Sequence, residues 1–123
     1  MPANPIVHWE LMSPDGDALR DFYAGLFDWN FQGAEGFDKY YMVGADDAVV
    51  GGAVGQGNEN MPSYSVFYVQ VEDIDEHLGK INANGGSTVV PKTVIPNMVT
   101  FALFNDPAGN MVGLVEAATP GAE

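Results

Sequence analysis

A histidine and a glutamate two positions apart, His8 and Glu10, are the pair in this chain best placed to do chemistry. They belong to Val7-His8-Trp9-Glu10-Leu11-Met12, which alternates at period two. An extended strand therefore turns Val7, Trp9 and Leu11 to one side and His8, Glu10 and Met12 to the other. The apolar side needs a packing partner. The other side then carries an imidazole next to a carboxylate, able to orient a ligand, share a proton or offer two donors to a metal. The plainer reading of His8 is a hydrogen-bonded core histidine or a surface residue, and two polar side chains on one strand face are common. Glu10 is harder to leave inert, because a carboxylate on an inward face is costly to bury without water, His8 or a ligand as partner. His77, beside Leu78 on a helical segment, reads as solvated surface.

No other constellation competes with this pair. The chain has no cysteine, which excludes disulfides, thiolate metal sites and a thiol nucleophile. Gly51-Gly52-Ala53-Val54-Gly55 ends a strand with no helix and no Lys-Ser/Thr after it, so it is not a phosphate-cradling loop. A Gly-x-Ser-x-Gly serine elbow is also missing.

The elements that must position the pair come in a repeat. After the first strand a turn at Ser13-Pro14-Asp15-Gly16-Asp17 leads into a helical segment, 18–27, in which Leu19, Phe22, Tyr23 and Leu26 recur at helical spacing, with Ser13, Asp15 or Asp17 available as its cap. Shifted by 58 positions, Val66-Phe67-Tyr68-Val69-Gln70-Val71 forms a strand. Glu72-Asp73-Ile74-Asp75 starts a second helix with Ile74, Leu78 and Ile81 on one face, and Gly85-Gly86 stops it. Extended segments follow each helix, at 29–32, 40–43 and 48–54 in the first half and at 87–90, 99–104 and 111–116 in the second. Turn chemistry joins the last two strands of each half, Gly44-Ala45-Asp46-Asp47 in one and Asn105-Asp106-Pro107-Ala108-Gly109-Asn110 in the other. The expected fold is α+β: two tandem βαβββ modules, 6–55 and 64–117 with a linker at 56–63, forming a curved mixed sheet around a cavity within a single domain, 1–123. The helices should cover Trp9 and Leu11 in module one and Phe67, Val69 and Val71 in module two, leaving Val66, Tyr68 and Gln70 to face the cavity with His8 and Glu10.

With 123 residues, 46% of them hydrophobic and 11% aromatic, the chain has the composition of a folded domain. Seventeen acidic against four basic residues give a net charge of −13, so nucleic acid and anionic membrane surfaces are expected to be repelled. That charge suits either a solvated acidic surface or a site that attracts cations. No apolar run is long enough to span a membrane and no signal-peptide pattern is visible at Met1-Pro2-Ala3-Asn4-Pro5, which leads to the expectation of a cytoplasmic protein.

The histidine-bearing first strand, Asp21-Phe22-Tyr23 followed by Leu26-Phe27-Asp28-Trp29, the Val71-Glu72-Asp73-Ile74 helix entry, Gly85-Gly86 and Asp106-Pro107-Ala108-Gly109-Asn110 together resemble the glyoxalase/bleomycin-resistance/dioxygenase, or vicinal oxygen chelate, superfamily over roughly residues 5–117. The resemblance implies paired βαβββ modules, often assembled as dimers, and in the metal-dependent members a divalent ion held by inward His and Glu side chains. Carried over position by position, the first-strand ligand matches His8, its module-two equivalent falls on Val66, and the final-strand ligands fall on Gly52 and Gly113 through a repeat offset of 61. One ligand of four survives, and glycine and valine cannot coordinate. The usual metal centre is therefore expected to be absent and no cofactor is expected. A displaced divalent site from His8, Glu10 and Glu116 is the weaker possibility.

The resulting expectation is a homodimeric binder of a small organic molecule, with His8, Glu10, Val66 and Tyr68 lining the site and Tyr40, Tyr41, Met61, Tyr64, Phe101 and Met111 as further candidates. The alternatives are a metal-dependent lyase, isomerase or dioxygenase with an altered site, in which His8 and Glu10 are the catalytic candidates, and a drug-sequestering resistance protein.

Overall fold

The computed structural model describes residues 4–96 and 98–116. The chain divides into two compact units, Val7–Val66 and, of the described residues, 4–6 with 67–116. Each contains one βαβββ module. In the first, β1 (Ile6–Ser13) is followed by α1 (Gly16–Leu26), β2 (Gln32–Gly33), β3 (Tyr40–Val43), a one-turn helix α2 (Ala45–Ala48) and β4 (Gly52–Gln56). In the second, β5 (Tyr64–Val71) is followed by α3 (Ile74–Ala83), β6 (Ser87–Ile95), β7 (Val99–Asn105) and β8 (Met111–Glu116).

The two modules share one strand plan. β2, β3 and β4 are antiparallel neighbours and β1 runs parallel to β4, while β6, β7 and β8 are antiparallel neighbours and β5 runs parallel to β8. The helices also start alike. Asp15 caps α1 by accepting from Ala18 N at 3.0 Å, and Asp73 caps α3 by accepting from Glu76 N at 3.1 Å. The last side chain of each module's final strand adds a second cap: Gln56 Oε1 accepts from Gly16 N at 3.1 Å and Glu116 Oε2 accepts from Ile74 N at 3.0 Å. Helix α3 ends as expected, with Gly85 at φ +94 and Gly86 N donating to Ile81 O at 2.9 Å.

Registers correct the repeat offset. Glu10 pairs with Ala53 and Tyr68 with Gly113, so the final strands are related by a shift of 60, and the counterpart of Gly113 is Ala53 rather than Gly52. One residue is a change of face. Gly52 lies on the helix side of its sheet, where a Cβ would overlap the Trp9 ring, whereas Gly113 lies beneath the Tyr68 ring on the side away from α3.

Module two packs as the alternation predicts, around Val71, Ile74, Leu78, Ala102 and Leu114, with Val69, Ile81 and Phe104 against them. Phe67 is the exception and stands 41% exposed. Module one departs further. Helix α1 buries Gly16 against Gly55 and Gln56 and half-buries Leu19 and Tyr23, while Phe22 and Leu26 are each 57% exposed. The cause is the segment after the helix, read above as a strand from residue 29. Trp29 instead places its ring 5.2 Å from Trp9 and 6.3 Å from Tyr23, so this wedge takes the space between helix and sheet and strand pairing begins only at Gln32. The turn expected at 44–47 is the helix α2, which delays β4 to Gly52.

Candidate functional site

Alternation along β1 sends His8 and Glu10 away from α1, and pairing brings Ala53 of β4 and Met42 of β3 to the same face. Tyr40, two residues before Met42, joins them and ties the pair together. Its hydroxyl donates to Glu10 Oε2 at 2.5 Å and lies 2.9 Å from His8 Nε2. Tyr64 at the start of β5 donates to the other carboxylate oxygen, Oε1, at 3.5 Å. All four side chains are half-buried, and Phe37 sets its ring 5.2 Å from that of Tyr40.

This arrangement fixes protons. A phenol has one hydrogen, and Tyr40 gives it to a carboxylate that cannot return one. Nε2 of His8 must therefore donate to the phenol oxygen, and the lone pair of the neutral ring sits on Nδ1. Burial holds the His8 pKa below the usual histidine value, against the opposing pull of the Glu10 charge. Burial also raises Tyr64, helped by the Glu10 charge and its hydrogen bond, to about 12, so this phenol stays a donor at neutral pH.

The depressed His8 pKa has a testable sign. On acidification from neutral pH to about pH 5 the unfolded imidazole takes up a proton that the folded one resists, so His8 withdraws stability as pH falls below the usual histidine value. Urea unfolding of the wild type should lose stability over that range relative to His8→Gln. Parallel pH profiles for the two proteins would show that His8 does not titrate in the manner described.

The other candidates separate. Tyr41, adjacent to Tyr40, faces the opposite way: its hydroxyl donates to Asp17 on α1 and the Arg20 guanidinium lies 4.5 Å over its ring, so it is a helix contact and leaves the site. Met61 is half-buried in the connection before β5, its N–H donating to Asn58 Oδ1 at 2.8 Å. Val66 is buried and shares a face of β5 with Tyr64 and Tyr68. In the second unit Tyr68, Phe101 and Met111 do share a sheet face, because Tyr68 pairs with Gly113, Phe101 pairs with Val115, and Met111 alternates with both. Phe101 stands where Tyr40 stands in module one, opposite the residue after next from the Glu10 or Tyr68 partner. Glu116 turns to the α3 side, where it caps Ile74 N and pairs with Lys92 at 3.3 Å, so it leaves the metal candidates. His77, read as solvated, is half-buried, with Nδ1 3.2 Å from Asp73 O. Phe37 was missed, since nothing in Gly36-Phe37-Asp38 sets it apart from other loop aromatics.

The donors present do not fit the metal centre that the resemblance implies. Among the described residues no three His, Cys, Asp or Glu side chains come together, and the final-strand ligand positions are Ala53 and Gly113. A groove of about 360 Å³ lined by Asn30, Gln32, Met42, Gly44, Asp46 and Asp47 borders the turn at α2 and contains neither His8 nor Glu10. No helix of the described residues is long and apolar enough to cross a membrane.

Comparison with known proteins adds relatives to this geometry. The family model of the Glyoxalase/Bleomycin resistance protein/Dioxygenase superfamily matches residues 5–114. The chain is 30% identical over 112 residues to "Putative glyoxylase CFP32" of Mycobacterium bovis, covering 89% of this chain and 42% of that protein. It is 29% identical over 117 residues to the anthracycline biosynthesis protein DnrV of Streptomyces peucetius, covering 82% of this chain and 42% of that one. The chain thus spans about two fifths of the length of these relatives. Among solved structures it is similar to hypothetical protein BH1468 of Bacillus halodurans (TM-score 0.70, 14% identity, 99% of each chain) and to methylmalonyl-CoA epimerase of Mycobacterium tuberculosis (TM-score 0.66, 14% identity, 94% of this chain and 89% of that one). At those identities the likeness is one of fold.

Proposed function

Because the chain belongs to the glyoxalase/bleomycin resistance protein/dioxygenase superfamily, we propose that it is a member that binds a small organic molecule on the His8–Glu10 face of module one without a metal centre. The observation that carries this reading is the hydrogen-bonded run His8–Tyr40–Glu10–Tyr64, a set of polar groups converging beside aromatic rings with, among the described residues, too few donors for a metal. Such a run orients a ligand through its hydrogen-bonding groups, while Tyr40, Tyr64 and Phe37 offer apolar surface to its body.

A second reading draws on the same run. A carboxylate, a phenol and a neutral imidazole in one chain of hydrogen bonds can relay a proton, which suits a metal-free isomerase or lyase. The two readings part on turnover: the binder leaves its ligand unchanged, whereas the enzyme exchanges a carbon-bound proton of its ligand with deuterated solvent.

Elemental analysis of protein purified without added metal should find no stoichiometric divalent ion, and native mass spectrometry should find an organic molecule whose retention drops in Glu10→Gln by about 1–3 kcal/mol of affinity. One zinc, nickel, iron or manganese per chain that disappears in His8→Ala would replace the binder by a metal-dependent enzyme.

A further inference from the structure

The residues on either side of Tyr40 are held by one carboxylate on the helix side of the sheet. Asp17, in the first turn of α1, takes the Lys39 ammonium on Oδ2 at 3.1 Å and accepts the Tyr41 hydroxyl on Oδ1. Arg20 joins the group, its guanidinium 3.8 Å from Asp17 Oδ1 and 4.5 Å over the Tyr41 ring. Hydrogen bonds from Tyr41 and then from Lys39 hold the Asp17 carboxyl below the usual carboxylate range, so it is charged at neutral pH. With both neighbours drawn toward α1, alternation directs the Tyr40 ring to His8 and Glu10. Lys39 enters the strand in the left-handed region, at φ +52, while its carbonyl oxygen accepts from Gln56 N at 3.0 Å. A lysine in that conformation costs energy that a glycine would not, and such strain persists where surrounding contacts impose it. Gly55 pairs with Tyr40 across the ladder and gives its ring a floor, since a Cβ there would meet Tyr40 Cδ1 at 3.0 Å. With no side chain of its own, Gly55 supports the ring from below without steering it.

Module two shows that the fold does not require this clamp. Gly16 and Ile74 open α1 and α3, so Asp75 corresponds to Asp17, and by register Phe101 corresponds to Tyr40. The residues beside Phe101 are Thr100 and Ala102, and Ala102 is fully buried in the apolar core with Ile74 and Leu78. Asp75 turns instead to Lys92, at 3.9 Å. Both modules thus carry a carboxylate at the start of the helix, whereas the two arms that reach it belong to the module with the polar run. Resting on the reading of that run as the ligand site, we propose that Asp17 is a positioning residue: acting through Lys39 and Tyr41, it sets the direction in which Tyr40 presents its phenol to His8, to Glu10 and to an arriving ligand.

Through-space NMR cross-peaks between the rings of Tyr40 and His8, measured on the full chain, test it. The wild type should show them. Asp17→Ala should lose them while the backbone signals of β1 and β4 stay in place. Asp75→Ala makes the same change at the matching position of module two, again removing a helix-start charge and an ion pair, and should keep them. A merely structural ion pair would lower the urea midpoint in both aspartate variants and leave the cross-peaks alone. Lys39→Met combined with Tyr41→Phe cuts both arms with Asp17 in place and should repeat the loss, which keeps the test open if Asp17→Ala does not fold. Intact cross-peaks in a folded Asp17→Ala, or in the double variant, would overturn the proposal. So would an equal loss in Asp75→Ala, which would mark the effect as general loosening. A wild type without these cross-peaks would instead remove the hydrogen-bonded run itself, and the ligand-binding reading with it.

Discussion

Trp9→Ala is expected to cost about 3–5 kcal/mol of folding free energy, while Glu10→Gln, the next residue of the same strand, is expected to leave stability nearly unchanged. Three contacts are lost with the indole. Its Nε1 donates to Val50 O at 2.6 Å and thereby holds the connection into β4. Its ring covers Gly52, whose lack of a side chain makes the room, and it supports Trp29, which in turn meets Tyr23 of α1. Removing it opens a space between helix and sheet that neither glycine nor backbone can fill. Because Trp9 is only half-buried, the lower end of the range is expected. Glu10→Gln keeps the shape and an oxygen to accept from Tyr40, and it removes a partly desolvated charge. Urea unfolding of both variants gives the comparison. A silent Trp9→Ala beside an unfolded Glu10→Gln would mean that β1 presents its faces the other way round.

The second large effect belongs to module two. Ile74→Ala should lose about 2–5 kcal/mol, in the upper half of the range for aliphatic truncations. Ile74 is fully buried at the first position of α3, against Val71, Leu78, Ala102 and Leu114. The void cannot close, because the backbone N–H of Ile74 is held by Glu116 Oε2 and the strands beneath are fixed in their ladder. The corresponding residue of module one is Gly16, which rests directly on the backbone of Gly55 and Gln56, so the chain carries no second copy of this anchor. The denaturant midpoint should fall with the m-value unchanged. A loss under about 1 kcal/mol would place the centre of this core elsewhere.

The strand faces were readable in the sequence where apolar and polar residues alternate cleanly, as in β1 and in the Val69 and Val71 half of β5. The extents of β3 and β8 were readable too, because turn residues bracket them. Residues 29–31 were misread because Trp and Phe favour strands by propensity, and only tertiary packing against Trp9 turns them into a wedge. The offset error at Gly52 has a similar origin: in a run of small residues nothing marks which one lies on which face, and one residue reverses the answer. For the site, alternation sufficed to put His8 with Glu10. It could not choose between Tyr40 and Tyr41, which as neighbours must face opposite ways, because that choice depends on which side of the sheet α1 covers. Tyr64 joins Glu10 from 54 residues away, a distance that only the fold closes.

The parallel pairing of the first and last strands in each module governs the order in which the protein can assemble on the ribosome. Glu10 finds Ala53, and Tyr68 finds Gly113, only after the whole intervening segment has been synthesised. Until then β1 lacks β4 on that edge, and α1 lacks both the Gln56 cap and the strand on which Gly16 rests. Closing such long loops makes the last strand of each module the late and rate-setting piece of folding. A chain in which β4 or β8 has yet to pair therefore exposes an unpaired edge and an unsupported helix to chaperones and proteases.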